Sequence, residues 1–178
     1  IQLHQGRRVT SRSADSIVAE AERMTHEPDF KGYIHDIGGP TANFRFPSCR
    51  EQMLRGMCNG GKHCLAPQTC SHMIVDHSDY LKILRRVREL PGVKKVFIRS
   101  GIRFDYLMAD PDDTFFKELV EYHVSGQLKV APEHCAPNTL AYMGKPPIET
   151  FNKFKDKFYE LSKKAGKKQY LVPYLMSS

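Results

Sequence analysis

Four short apolar runs in this 178-residue chain end in polar or glycine residues, and amphipathic helical patterns lie between them. Strands that alternate with helices form right-handed crossovers and a parallel sheet. In such sheets, ligands bind at the carboxyl ends of the strands. The groups that follow the runs are therefore the first candidates for a site, and they lie at 37–40, 98–101, 130–134 and 175–178.

The alternation predicts an α/β protein of about four parallel strands with helices on the outside, which form part of an open βα barrel or a twisted sheet. Four units are too few to close an eight-stranded barrel. Pro173 removes a ladder donor from the last strand, which favours an edge position. Strands are expected at 33–37, 96–98, 127–131 and 169–176, and helices at 13–25, 80–88, from Asp110-Pro111 onward, 138–143 and 149–165.

The composition is that of a globular protein, with 40% hydrophobic and 26% charged residues. A chain of this length buries a core, so we expect a single domain over 1–178. No apolar stretch reaches the length of a membrane span. The absence of a secretory context and the odd number of cysteines favour free thiols or metal ligands in a cytoplasmic protein. Ile1 is not an initiator methionine and the last strand simply stops, so we expect both ends to be cut from a longer protein.

The net charge of +7 is compatible with binding nucleic acid. Much of the excess lies at 153–168, beside Phe151, Phe154 and Phe158. A solvated outer face of a helix explains this pattern at least as well. RNA therefore stays open as a partner at this point.

A long segment at 40–77, punctuated by glycine and proline, carries most of the cysteines. A loop of that length inside a domain is usually functional or held by something other than a core. Four thiolates suit zinc or an iron–sulfur cluster, although cysteines also serve as small buried hydrophobic residues. Cys135 stands apart. The candidate metal ligands are Cys49, Cys58, Cys64 and Cys70, with His63, His72 and His77 nearby.

Five strand-end motifs occur in order along the chain. They are HDIGGPTAN from His35, FIRSGIR from Phe97, LKVAPEH from Leu128, MGKP from Met143 and YLVPY from Tyr170. This set resembles the core of radical S-adenosylmethionine (SAM) proteins, and specifically the uncharacterised YgiQ-type family. The resemblance runs over nearly the whole chain.

The resemblance implies a partial βα barrel that binds SAM and a 4Fe–4S cluster. With an external reductant, such a protein cleaves SAM to methionine and a 5′-deoxyadenosyl radical, which abstracts hydrogen from a substrate. The substrate is unknown here, and RNA and protein are both open candidates. The family holds its cluster through a Cys-x3-Cys-x2-Cys loop after the first strand, and these 178 residues contain no such triplet. We therefore expect the chain to be the C-terminal portion of a radical SAM core and to be inactive by itself.

The resemblance also implies the residues that contact SAM, while no catalytic residue is assigned. Glycine lets backbone carbonyls approach an ammonium group, and arginine clamps a carboxylate. Serine bonds a ribose hydroxyl, and a glutamate accepts from both ribose hydroxyls. The candidate cofactor-binding residues are Gly38, Gly39, Pro40, Arg99, Ser100 and Glu133.

Each of these residues also has a structural interpretation. Gly-Gly-Pro forms turns in many proteins. Arg99 pairs equally well with Asp36 or Asp105 as a structural ion pair. For Glu133 the less favoured alternative is that it, or His134, caps the helix that follows.

Two other functional classes remain open from the sequence. An aldolase-type barrel would use Lys129, which lies in the middle of a predicted strand, to form a Schiff base. A metal-stapled module would bind RNA through the cysteine loop and the basic helix.

Overall fold

The computed structural model describes residues 9–39, 41–56, 58 and 64–177. Within these ranges, helices alternate with strands, and a π-helical turn, Leu119–His123, directly continues the helix Thr114–Glu118. The helices are α1 (Ala14–Thr25), α2 (Arg50–Arg55), α3 (Ser78–Arg88), α4 (Phe104–Met108), α5 (Thr114–Glu118), α6 (Pro137–Tyr142) and α7 (Ile148–Lys164). The strands are β1 (Tyr33–Ile34), β2 (Lys95–Val96), β3 (Gln127–Glu133) and β4 (Tyr170–Leu175).

All strand pairing in the described residues is parallel. β1 pairs with β2, and β3 pairs with β4. β1 and β2 are shorter than predicted, but their pairing continues irregularly: Phe97 N donates to Ile34 O (2.9 Å), and Ile37 N donates to Phe97 O (3.2 Å). The strands thus form two pairs, and the partial barrel stays a prediction.

His123 connects the two pairs of strands. Its backbone carbonyl accepts from Ile98 N (3.0 Å), and its ring Nδ1 donates to Val96 O (2.9 Å). The ring is fully buried. His123, which ends the π-helical turn before β3, therefore supplies hydrogen bonds that the end of β2 would otherwise lack.

A single apolar core lies between the strands and the helices. In β3, Leu128 and Val130 face this core, whereas Gln127 and Lys129 are exposed. A smaller apolar cluster of Leu65, Val75 and Tyr106 lies under the cysteine-bearing segment.

The long helices follow the predicted amphipathic patterns. α1 has Ser13 as its N-cap, with the side chain accepting from Ser16 N. In α7, Phe154 and Phe158 are fully buried. Lys157 pairs with Asp113 on α5's N-terminal side, so part of the basic character of α7 is neutralised within the chain.

The prediction of a helix that begins at Asp110 is wrong, because α5 begins at Thr114. The Asp110 carboxylate accepts from His77 Nδ1 (2.5 Å) and from Asp112 N (2.9 Å). Asp112 in turn accepts from Thr114 N (2.9 Å). These side-chain bonds hold 110–113 in turns that compete with a helix.

No helix among the described residues is both long and apolar enough to cross a membrane.

We predict that His123 makes the stability of the chain depend on pH. Burial lowers its pKa from 6.5 to about 4. Between these values the unfolded chain binds the proton and the folded chain does not, so stability is complete above pH 6.5 and is lost as pH falls toward 4. The loss amounts to about 3 kcal/mol. Urea denaturation at a series of pH values measures it.

His123→Gln keeps a side-chain donor without the titration, so its stability should fall less over this pH range. His26→Gln, at an exposed position, is the matched control and should behave like the wild type. An unchanged pH dependence in His123→Gln would contradict the prediction.

Candidate functional site

The Asp36 carboxylate joins the carboxyl ends of β1 and β2. One oxygen accepts from the backbone N–H of Arg99 (2.9 Å) and of Ser100 (3.1 Å). The other accepts from Ser100 Oγ. The sequence had suggested Asp36 only as an ion-pair partner, although an acid directly after a buried strand is the signal for this role.

Gly38 lies against Ser100 at this edge. A Cβ on Gly38 would lie 2.9 Å from the Cβ atoms of both Ala42 and Ser100, so only glycine fits without displacement. Gly39 differs, because a Cβ there would meet no atom within 4 Å. Pro40, the third residue of the predicted motif, lies outside the described residues.

The backbone carbonyls beside Gly38 divide into occupied and available groups. The Ile37 carbonyl accepts from the Tyr80 hydroxyl. Burial raises the pKa of Tyr80, so this phenol stays protonated and donates. No described residue donates to the carbonyls of Gly38 and Gly39. Within the described residues these two oxygens are therefore acceptors without a donor.

The Arg99 side chain is exposed and forms no ion pair within the described ranges. Asp36 binds its backbone rather than its guanidinium. Asp105 is engaged by Arg103, which donates from Nε (2.7 Å) and from an amino group (2.5 Å). Neither structural partner considered for Arg99 therefore takes its charge.

Glu133 ends β3 in an unusual conformation, with φ of +72°. A non-glycine residue in this region costs energy and occurs mostly where surrounding contacts enforce it. Lys145, from the MGKP motif, donates to the Glu133 carboxylate (3.0 Å). Neither Glu133 nor His134 caps the helix that follows, α6, which has no side-chain cap; the His134 ring accepts from Ala136 N (2.9 Å), just ahead of the helix.

His77 lies in a buried polar network and not among the cysteines. Its Nδ1 donates to Asp110, and its Nε2 lies 3.1 Å from the amide nitrogen of Asn43. The Asn43 amide also bonds Arg103 N (2.9 Å) and Arg103 O (3.1 Å). Burial lowers the pKa of His77, so the ring is neutral and accepts from Asn43. Sequence reasoning missed this network, since its members are distant in the chain.

The cysteine-bearing segment brings sulfur atoms near one another. Cys49 caps α2 by accepting from Gln52 N (3.5 Å), and the Gln52 amide donates to Cys64 Sγ (3.4 Å). Cys70 N donates to Cys64 O (2.8 Å). Burial, followed by the proximity of Cys70, Cys49 and Cys58, raises the pKa of the Cys64 thiol, although the Gln52 hydrogen bond acts in the opposite direction.

These contacts do not amount to a formed metal centre. Among the residues the structure describes, no three cysteine, histidine or acidic side chains lie close enough to hold one ion. Of the predicted neighbours, His72 lies with its ring 3.8 Å from Cys70 Sγ, and His63 is outside the described residues. Cys135 is exposed, apart from the others.

The chain is similar over its whole length to UPF0313 proteins. It is 65% identical over all 178 residues to a UPF0313 protein of Clostridium perfringens strain SM101, of which it covers 27%. It is 57% identical over the same span to a UPF0313 protein of Clostridium botulinum strain Okra, of which it covers 28%. The chain thus spans about a quarter of the length of the relatives it matches, and their names state no activity.

No family profile matches the chain, and no solved structure gives a significant match.

Gly38 and Gly39 form a matched pair for testing this geometry. Gly38→Ala should lower the free energy of unfolding by about 1–3 kcal/mol, because its Cβ overlaps Ala42 and Ser100. Gly39→Ala should change it by less than about 0.5 kcal/mol. Denaturant titration of both variants checks the difference, and equal effects would contradict the described contact.

Proposed function

We propose that this chain is part of the core of a radical SAM enzyme of the YgiQ type and that its strand ends bind SAM. The observation that carries the proposal is the meeting of Gly38, Asp36 and Ser100 where β1 and β2 end. Motif order, parallel pairing and the strained Glu133 at the end of β3 support it further.

The glycines suit the amino group of SAM. An ammonium group needs converging oxygen acceptors, and the carbonyls of Gly38 and Gly39 receive no donor from the described residues. The open space at Gly39 leaves room for the ligand to approach the backbone. The close contact between Gly38 and Ser100 fixes the direction of the backbone after β1.

The charged residues suit the rest of the cofactor. The exposed guanidinium of Arg99 is free to bind the SAM carboxylate with two parallel hydrogen bonds. The Glu133 carboxylate has acceptor capacity beyond its contact with Lys145, so it can receive the ribose hydroxyls. Lys145 then orients this carboxylate.

The remaining part of the proposed reaction lies outside these residues. When bound, the 4Fe–4S cluster would supply the electron that cleaves SAM, and its Cys-x3-Cys-x2-Cys ligands are absent from the sequence. The role of this chain is to bind and orient SAM for hydrogen abstraction from a substrate. The much greater length of the relatives is compatible with a cluster loop elsewhere in the protein.

The position of Lys129 argues against the aldolase alternative. A lysine that forms a Schiff base gains reactivity when burial lowers its pKa. Lys129 is exposed on the face of β3 opposite the core. The geometry therefore favours a SAM site over a Schiff base.

In the full-length protein, Glu133→Ala should weaken SAM binding by about tenfold to a hundredfold, as expected for the loss of hydrogen bonds to a charged group. The 4Fe–4S content should stay unchanged. Equilibrium dialysis with SAM, together with iron and sulfide analysis, measures both quantities.

Glu149→Gln, at an exposed acid near the start of α7, is the control and should bind SAM like the wild type. Unchanged SAM affinity in Glu133→Ala would leave Glu133 with a structural role only and reject this assignment.

A second prediction concerns activity. The full-length protein, reduced by dithionite, should form 5′-deoxyadenosine from SAM, whereas the 178-residue chain should form none because it lacks the cluster ligands. Chromatography of the reaction mixture measures the product. Its absence from the full-length protein with an intact cluster would reject the proposed function.

A further inference from the structure

We propose that Cys49, Cys58, Cys64 and Cys70 bind one metal centre through four thiolates, and that this centre holds α2 beside residues 64–70. The inference is independent of the SAM site, because it depends on other residues.

The first argument comes from α2, which buries none of its residues. A six-residue helix does not persist in water by its own hydrogen bonds, and most helices in proteins are stabilised by packing an apolar face. Here Met53 and Leu54 are more than half exposed. Something other than the hydrophobic effect must therefore hold this helix.

The contacts that hold α2 are hydrogen bonds to the sulfur atoms of two cysteines. Cys49 caps the helix, and Gln52 links it to Cys64 through an N–H···S hydrogen bond. Hydrogen bonds of this kind, donated to ligand sulfurs, commonly surround thiolate metal centres and tune them. The side-chain oxygen of Gln52, Oε1, also accepts from Ser48 N (2.8 Å), so the Gln52 side chain joins Cys64 to the residue that precedes Cys49.

Two backbone hydrogen bonds also connect residues beside these sulfur atoms. Ile74 N donates to Ser48 O (2.7 Å), which brings the end of the segment beside Cys49. Cys70 N donates to Cys64 O (2.8 Å). Three of the four candidate ligands are thus connected by hydrogen bonds that involve neither strand nor core.

Three of the four cysteines are only partly buried, and Cys49 alone is among the buried apolar residues. Neither apolar cluster in the described ranges includes any of the four. All four are nevertheless partly or fully buried, whereas Cys135 is exposed. Sheltered thiols outside a hydrophobic cluster are better explained as metal ligands than as small hydrophobic residues.

Metal binding would complete the site by a local movement. Thiolate sulfurs bind zinc at about 2.3 Å, so the segment must contract around the ion. Because α2 buries no side chain, it can move toward 64–70 without opening the core. Each thiol loses its proton on binding, and the binding energy adds to the stability of the folded chain.

The test uses the 178-residue chain with its thiols reduced and its metal removed. One arm adds Zn²⁺ alone, and a second arm adds ferrous iron with sulfide under anaerobic conditions. Tight binding of one metal centre per chain in either arm supports the proposal and identifies the metal. The number of thiols that react with a thiol reagent should then fall from five to one, the exposed Cys135.

Cys135→Ser is the matched control and should keep full metal binding. Cys64→Ser should lower metal affinity at least a hundredfold. Cys58→Ser should have the same effect, and because it removes no hydrogen bond among the described residues, it keeps the test decisive if Cys64→Ser fails to fold. Stoichiometric binding in neither arm, or equal affinity in wild type, Cys64→Ser and Cys58→Ser, would overturn the proposal. Glu133→Ala should bind the metal normally, which separates this test from that of SAM binding.

Discussion

The proposed site depends on the hydrogen bonds that the Asp36 carboxylate accepts. β1 and β2 contain only two residues each, so a regular ladder cannot fix the chain beyond them. Asp36 replaces the missing ladder by accepting from two successive backbone N–H groups and from the Ser100 hydroxyl. This arrangement places Gly38 against Ser100, where no described residue donates to the carbonyls of Gly38 and Gly39.

Polar side chains also fix the backbone by hydrogen bonds elsewhere in the fold. His123 links β2 to the segment before β3, and the amide of Asn43 holds the backbone of Arg103 near the start of α4. His77 and Asp110 extend the latter network through a neutral, buried imidazole. Apolar packing stabilises the core, and these polar contacts determine where the loops at the strand ends lie.

Much of this organisation could be predicted from periodicity. The amphipathic patterns gave α1, α3 and α7, because helix faces depend on residues close in sequence. The network of Asn43, His77 and Asp110 could not be predicted, since it joins residues far apart in the chain. The same network explains the error at Asp110, where a tertiary contact overrides a local helix-start signal. Gly38, Ser100 and Glu133 were predicted from strand ends, whereas the role of Asp36 was missed.

The position of bound SAM tests the central claim most directly. A crystal structure of the full-length protein with SAM should place the cofactor's amino group within hydrogen-bond distance of the carbonyls of Gly38 or Gly39. Its ribose hydroxyls should contact Glu133. SAM bound away from the ends of β1, β2 and β3 would contradict the account.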